Sequence, residues 1–219
     1  MQSAIIVFPG TNRERDVALA LQRATGKKPI RVWHGDSEMP KCDLIVIPGG
    51  FSYGDYLRTG AMAAHSPIMR EVIAAAKKGT RVLGICNGFQ ILCETQMLPG
   101  VLLRNSSLKF VCRPVTLRVE NSESDFTRAY KPGQEIRVVV AHGDGNYFAS
   151  DDTLNELEDN RQIAFRYCDN PNGAIRDIAG IFNKSRNVLG LMPHPEDAVE
   201  PLHGSTDGAG MFESLAKAI

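Results

Sequence analysis

The chain has 219 residues, of which 43% are hydrophobic and 23% charged, and its 25 basic side chains balance its 25 acidic ones. This size suits one globular domain with a core deep enough to exclude water from a site, and the charge balance predicts neither a nucleic-acid partner nor a membrane surface. The N-terminus MQSAIIVFPG lacks the pattern of a signal peptide, no apolar run approaches the roughly 18 residues that span a bilayer, and five scattered cysteines favour a reduced, cytoplasmic setting.

The first half of the chain alternates predicted strands and helices. Apolar runs predict strands over 3–8, 29–34, 42–50 and 81–85, and amphipathic segments predict helices over 15–26, 66–79 and 87–98. In the second helix Ser66 is the expected cap, Pro67 takes the first position and Gly79 ends it. Because strands and helices at this spacing build right-handed βαβ units, we expect an α/β fold with a doubly wound, flavodoxin-like, mostly parallel sheet and helices on both faces.

The pattern changes after residue 100. Strands are predicted over 108–120, 136–145, 162–168, 178–183 and 188–193, with a short helix over 152–160 and a closing helix over 208–219. Since the first two of these strands follow one another without a helix, we expect an antiparallel extension of the sheet. The sequence has no internal repeat, low-complexity tract or long linker, so residues 1–219 are predicted to form a single domain.

The strongest chemical signal is Gly84, Cys86 and Gly88, a G-x-C-x-G pattern between a strand and a helix. A turn this sharp strains the backbone of the central residue and presses its flanking residues together, so that only glycine fits there. The sulfur then stands at the carboxyl end of the sheet and at a helix N-terminus, which favours negative charge. The backbone N–H of Asn87 is free to donate to an oxyanion. The alternative is a buried cysteine that happens to lie between glycines.

A thiol nucleophile needs a base, and His194 in LMPHPED is the best of the five histidines. Pro195 keeps the chain extended, so His194 and Glu196 project to the same side and the carboxylate can orient the imidazole toward the thiol. His142, at a strand end, is a candidate for lining a pocket. The H-P-E pattern has two alternative interpretations. One is a turn with solvated charges. The other is a metal site made of His194, Glu196 and His203, which no ligand spacing supports.

A second oxyanion donor is expected from VIPGGFSYGD, where Gly49 and Gly50 follow a buried strand. Only glycine lets the backbone approach a ligand this closely. The loop lacks the G-K-[ST] ending of a phosphate-binding loop, and GDG at 143–145 lacks the third glycine of a dinucleotide fingerprint. We therefore predict no metal and no cofactor on this chain.

These motifs resemble, in order and spacing, the class I or triad glutamine amidotransferases. The resemblance rests on PGG after the third strand, GICNGFQ at the elbow and HPE near the end, and it covers essentially the whole chain. Four longer strings are similar to one branch of that family, the glutaminase subunits of phosphoribosylformylglycinamidine synthases: CNGFQ, GGFSYGDYLRTGA, NSSLKFVCR and AHGDGNY.

The resemblance implies a role for each site residue. Cys86 would attack the side-chain amide of glutamine to form a thioester, and His194, oriented by Glu196, would transfer the protons. A second set of residues would hold the oxyanion and contact the bound glutamine: Gly50, Asn87, Gln90, His142 and Gly143.

The resemblance also implies partners. A triad alone only releases ammonia and glutamate, so a separate synthetase chain must accept the ammonia. In the resembled branch that chain uses ATP, Mg²⁺ and formylglycinamide ribonucleotide in purine biosynthesis, and a third small subunit joins the assembly. We hypothesise that the loop of residues 51–60, with Tyr53 and Arg58 as anchors, docks onto the synthetase, because tyrosine and arginine are common interface anchors.

Two rival interpretations remain at this point. One is a DJ-1/PfpI-like stress protein with a cysteine elbow, although such chains place histidine close to the elbow. The other is a non-catalytic amidotransferase scaffold, which is disfavoured because all three triad positions are filled. Cys93, Cys112 and Cys168 are expected only to pack in the core.

Overall fold

The computed structural model describes residues 1–218, and Ile219, the last residue of the predicted closing helix, lies outside the described residues. Its strands, β1 to β11 in chain order, are Ser3–Val7, Ile30–Trp33, Leu44–Ile47, Arg81–Ile85, Val101–Leu103, Val111–Val119, Glu135–His142, Asn146–Phe148, Ile163–Tyr167, Ile178–Phe182 and Val188–Leu191. Its helices, α1 to α6, are Glu14–Thr25, Ala61–Ala64, Pro67–Lys77, Asn87–Glu94, Asp151–Asp159 and Ala209–Ala216.

Nine strands form one sheet in the order β2-β1-β3-β4-β11-β10-β9-β6-β7. The first five are parallel to their neighbours, and the last four continue the sheet in antiparallel pairs. The chain steps from β1 to β2 in one direction and from β3 to β4 in the other. Right-handed crossovers therefore place α1 and α3 on opposite faces. The predicted doubly wound sheet with an antiparallel extension is confirmed.

Burial explains why these segments form a sheet covered on two sides. All four residues of β3 are buried, as are all four of β11, because a parallel strand between helical layers meets no water. α1 ends as predicted at Gly26, whose left-handed conformation lets its N–H bond the carbonyl of Gln22. No helix among residues 1–218 is long and apolar enough to cross a membrane.

Several local predictions were wrong or incomplete. Ser66 does not cap α3 with its side chain; its hydroxyl lies 3.0 Å from that of Tyr53 instead. Cys93 is buried as expected, but Cys112 and Cys168 are exposed because they lie outside the buried stretches of β6 and β9. The short β5 and β8, which pair in a separate two-stranded sheet, and the single turn α2 were not predicted.

Candidate active site

Cys86 occupies the sharp turn between β4 and α4, in a strained conformation with φ 52° and ψ −106°. The glycines on either side of Cys86 are what allow the strained turn to pack, because a side chain at either position would clash. A Cβ on Gly84 would lie 2.7 Å from the carbonyl oxygen of Gly88, and a Cβ on Gly88 would overlap the backbone carbonyl of Ile47 in β3. The two glycines thus allow strand, elbow and helix to pack against each other with Cys86 at the crest. Strain of this kind persists only where the surrounding structure enforces it, and it is typical of functional sites.

His194 and Glu196 follow the end of β11, and the predicted extended chain between them is wrong, because Pro195–Asp197 form a 3₁₀ turn. The backbone N–H of His194 donates to the carbonyl of Val139 in β7, at 2.8 Å, which fixes the segment against the antiparallel half of the sheet. Its Nδ1 donates to Oε1 of Glu196 at 2.7 Å, and both side chains are almost completely buried. Because a carboxylate only accepts, this bond assigns the Nδ1 hydrogen and leaves Nε2 to face the reacting groups. Within residues 1–218, Nε2 has no hydrogen-bond partner.

The charge state of His194 follows from its surroundings. Burial lowers the pKa of this imidazole, but the negative charges of Glu196 and of the Cys86 sulfur outweigh burial and raise the pKa well above its ordinary value. A protonated His194 can stabilise a thiolate and later supply a proton to a leaving group.

Gly49 lies against both the imidazole of His194 and the Cβ atom of Cys86. A Cβ there would lie 2.7 Å from Cε1 of His194 and 3.5 Å from Cβ of Cys86. Next to it, Gly50 has φ 152°, and its backbone N–H makes no hydrogen bond within the described chain. The N–H of Asn87 is likewise without a partner there, as expected at the first position of a helix. Two free N–H groups therefore flank Cys86, as an oxyanion site requires.

The side chains of Asn87 and Gln90 form a bridge across the site. Asn87 Oδ1 accepts the N–H of Ser52 at 3.1 Å, and Asn87 Nδ2 donates to Gln90 Oε1 at 2.8 Å. Gln90 Nε2 then donates to the carbonyl of Asp144 at 2.7 Å. The bridge ties the loop after β3 to the loop after β7, and it uses the amide of Gln90, which sequence analysis assigned to the bound glutamine. That role stays a prediction.

His142 is almost completely buried, and both of its ring nitrogens lie within hydrogen-bond distance of asparagine side chains. Its Nδ1 donates to Oδ1 of Asn105 at 3.1 Å, and its Nε2 accepts from Nδ2 of Asn172 at 3.3 Å. Burial, and then the positive charge of His194, lower the pKa of His142 to about 4, so it is neutral at pH 7. The carbonyl of the adjacent Gly143 accepts the N–H of Asn105 at 2.8 Å. Both predicted pocket residues thus belong to a buried network, and a pocket-lining role stays a prediction.

Two carboxyl groups flank the bridge between Asn87 and Gln90. Burial, and then the charge of Asp144, raise the pKa of Asp55 to about 6, and the Asp55 Oδ1 atom is buried without a partner. Sequence analysis missed Asp55, since its position in the loop shows no strand or helix pattern.

Metal binding has no support in the described residues. Among residues 1–218, no three or more histidine, cysteine, aspartate or glutamate side chains are grouped to hold a metal ion. His203, considered above with the H-P-E pair, lies 3.1 Å from a carboxylate oxygen of Glu200 instead.

The predicted docking loop is only partly available to a partner. The hydroxyl of Tyr53 lies 2.6 Å from Nδ1 of His34 and 3.0 Å from the hydroxyl of Ser66, so this residue points into the protein. Arg58 is exposed but forms a two-bond ion pair with Glu94, each bond 2.5 Å long. The prediction that Tyr53 is an exposed anchor for a partner is therefore wrong.

Comparisons with known proteins agree along the whole chain. The profile of the CobB/CobQ-like glutamine amidotransferase domain matches residues 1–213. The phosphoribosylformylglycinamidine synthase subunit PurQ of Rhizobium johnstonii is 57% identical over 100% of this chain and 99% of its own length, and that of a Chelativorans species is 59% identical over 98% of each. In the structure of PurLQS from Thermotoga maritima, one chain aligns with a TM-score of 0.90 and 46% identity, over 98% of this chain and 96% of its own. A putative GMP synthase protein from Thermoplasma acidophilum, 20% identical with a TM-score of 0.63, shares the fold alone.

Proposed function

The chain belongs to the CobB/CobQ-like glutamine amidotransferase family, and we propose that it is the glutaminase of a phosphoribosylformylglycinamidine synthase. It hydrolyses glutamine and passes the ammonia to a synthetase subunit, which converts formylglycinamide ribonucleotide to formylglycinamidine ribonucleotide in purine biosynthesis. The observation that carries the catalytic part is the strained Cys86, held between two glycines opposite a buried His194–Glu196 pair. The family match disfavours the DJ-1/PfpI-like alternative.

In the first half-reaction the Cys86 thiolate attacks the side-chain carbonyl carbon of glutamine. A carbon–sulfur bond forms, and the carbonyl oxygen becomes an oxyanion that the N–H groups of Gly50 and Asn87 stabilise. The protonated His194 gives its Nε2 proton to the amide nitrogen as the carbon–nitrogen bond breaks. Ammonia leaves, and a glutamyl thioester remains on Cys86.

The second half-reaction returns the site to its starting state. Neutral His194 takes a proton from a water molecule as the water oxygen attacks the thioester carbon, and the carbon–sulfur bond then breaks. The new carboxylic acid loses its proton to water and leaves as glutamate, and Cys86 is again a thiolate beside a protonated imidazole. Glu196 keeps the imidazole in one tautomer throughout, because its carboxylate accepts the Nδ1 hydrogen in both states.

Ammonia released into water would largely be protonated and lose its nucleophilicity, so the synthetase must receive it directly. The Thermotoga maritima assembly supports two partners, a synthetase and a third, small protein. We place ATP and Mg²⁺ on the synthetase, since this chain carries no phosphate-binding motif. We place the assembly in the cytoplasm, which the five unpaired cysteines support.

The catalytic proposal is tested by labelling with 6-diazo-5-oxo-norleucine, an electrophile that mimics glutamine. We expect one label per chain, on Cys86, when the complex with the synthetase is incubated and mapped by peptide mass spectrometry. The chain contains its own control, because Cys112 and Cys168 are exposed whereas Cys86 is only 5% exposed. A reagent that found thiols by accessibility alone would label those two first, and such a pattern, or no label at all, would favour the scaffold alternative.

The docking surface needs new anchors, and exposed apolar side chains near the site supply them. Tyr56 is 89% exposed and Leu57 70% exposed, and Phe51 faces Phe110 with ring centroids 6.4 Å apart. Large apolar side chains exposed this close together in one loop are typical of an interaction surface. We therefore expect Tyr56→Asp combined with Leu57→Asp to weaken binding of the synthetase about 100-fold or more, measured by titration calorimetry, because central aromatic anchors carry most of the binding energy.

The matched control for the docking test is Leu19→Asp. Leu19 is also exposed and apolar, but it lies on α1, outside the loop of residues 51–60. This variant is expected to bind like the wild type. Equal binding by the Tyr56 and Leu57 double variant would show that the synthetase docks elsewhere.

A further inference from the structure

Arg13 lies at the start of α1 and reaches two parts of the site at once. Its backbone N–H donates to the carbonyl of Gly49 at 3.3 Å, and a Cβ on Gly49 would lie 3.1 Å from its Cγ. Its guanidinium forms an ion pair with Asp197, and its Nε lies 3.9 Å from Oε1 of Glu196, the oxygen that accepts from His194. One side chain thus connects the loop after β3 with the carboxylate behind the imidazole.

Two buried atoms indicate what this connection does. Arg13 Nε and Glu196 Oε2 are both buried without a hydrogen-bond partner in the described chain. One is a cationic donor and the other an anionic acceptor, and they belong to side chains already in ion-pair range. Leaving both unpaired is costly, and a small movement of the long arginine side chain toward the carboxylate relieves the cost for both.

We propose that Arg13 is a positioning residue that extends the triad, holding the carboxylate of Glu196 at the oxygen that also accepts from His194 and keeping it aligned with the imidazole. The inference rests on the proposed glutaminase function. The side-chain nitrogens of Arg13 have ion-pair contacts with Asp16, Glu196 and Asp197, and its link to the loop after β3 is a backbone hydrogen bond that a side-chain substitution keeps.

The guanidinium also sets the local charge. His194 is faced by Cys86, Glu196, Asp197 and the neutral His142, and Arg13, which lies 3.9 Å from Oε1 of Glu196, is itself bound by Asp16 and Asp197. A cation near the carboxylate partly offsets the negative charge that keeps His194 protonated. We therefore expect removal of the cation to raise the pKa of His194 further, so that the alkaline limb of the activity profile, where the imidazolium is lost, moves to higher pH.

The test compares Arg13→Gln with Arg13→Lys in the complex with the synthetase, measuring glutamine hydrolysis as a function of pH. For Arg13→Gln we expect kcat to fall about 10-fold, because a displaced catalytic group slows the reaction. We expect KM to stay unchanged and the alkaline limb to move up by about 0.5 to 1 pH unit. Arg13→Lys keeps the charge without the planar fork, so it should lose kcat while the alkaline limb stays in place.

Controls separate this inference from the proposed function. Arg15→Gln changes an exposed arginine of the same helix and should match the wild type. Wild-type kcat with an unmoved alkaline limb in Arg13→Gln would overturn the inference alone. If both Arg13 variants lost the same factor in kcat and neither limb of the pH profile moved, Arg13 would have only a structural role. That result would also overturn the inference. A wild-type complex that does not consume glutamine would instead overturn the proposed function.

Discussion

Replacing Cys86 by alanine is expected to lower glutamine-dependent synthesis of formylglycinamidine ribonucleotide about 10⁴-fold or more, since losing the nucleophile of a triad removes nearly all of its chemistry. The same complex supplied with ammonium salt should keep its wild-type rate, because free ammonia bypasses the site on this chain. The ratio of the glutamine-dependent rate to the rate with ammonium salt, both measured on one preparation, reports the activity of the triad independently of the activity of the synthetase.

The alanine variant should also fold normally. Cys86 is strained, and its sulfur has a long contact of 3.7 Å with the carbonyl of Ala141, so its removal costs little packing. Cys112→Ala, which removes an exposed thiol, is the matched control and should keep both rates. If the Cys86 variant retained glutamine-dependent synthesis, the nucleophile would have to be another group, and the thioester mechanism would be wrong.

The parts of the site that could be predicted from the sequence are those whose geometry is local. Gly84 and Gly88 lie two residues from Cys86, and steric exclusion at a sharp turn depends on those positions alone. His194 and Glu196 are likewise only two residues apart, so their pairing was predictable, although the segment between them is a 3₁₀ turn and not the predicted extended chain. The βαβ order also follows from a local pattern. Apolar residues recur at about every second position in a half-buried strand and at about every 3.6 positions in a helix, so a few residues distinguish the two.

The parts that could not be predicted depend on contacts distant in the chain. Arg13 meets Asp197 across 184 positions, and nothing near either residue indicates the other. Ser66 carries a good capping pattern, but Tyr53 in a left-handed conformation reaches its hydroxyl and the cap bond is lost. Strands of three residues, such as β5 and β8, are too short to show an alternation of apolar and polar residues. They form because they pair with each other.

Replacing Gly88 by alanine is expected to have the largest effect on stability. Its Cβ would overlap the carbonyl oxygen of Ile47 and lie 2.8 Å from that carbonyl carbon, both backbone atoms of β3, a fully buried strand in the interior of the sheet. Backbone in a buried sheet cannot move aside as a side chain can, so the helix α4 must shift instead. We expect a loss of about 3 kcal/mol in the free energy of unfolding, the upper end for overpacking. That loss corresponds to a melting temperature lower by about 6 to 12 °C for a chain of this size.

The shift of α4 connects this stability effect to catalysis. Cys86 and the N–H of Asn87 are at the start of the helix, so moving α4 displaces both the nucleophile and an oxyanion donor. Gly88→Ala should therefore lose glutaminase activity even at temperatures where it stays folded. The matched control is Gly35→Ala, an exposed glycine whose Cβ would meet only the side chain of Trp33 at 3.4 Å, and it should change stability by less than about 0.5 kcal/mol. Wild-type stability and activity in Gly88→Ala would mean that α4 and β3 are not packed this closely, and the steric reason for a glycine on each side of the cysteine would fail.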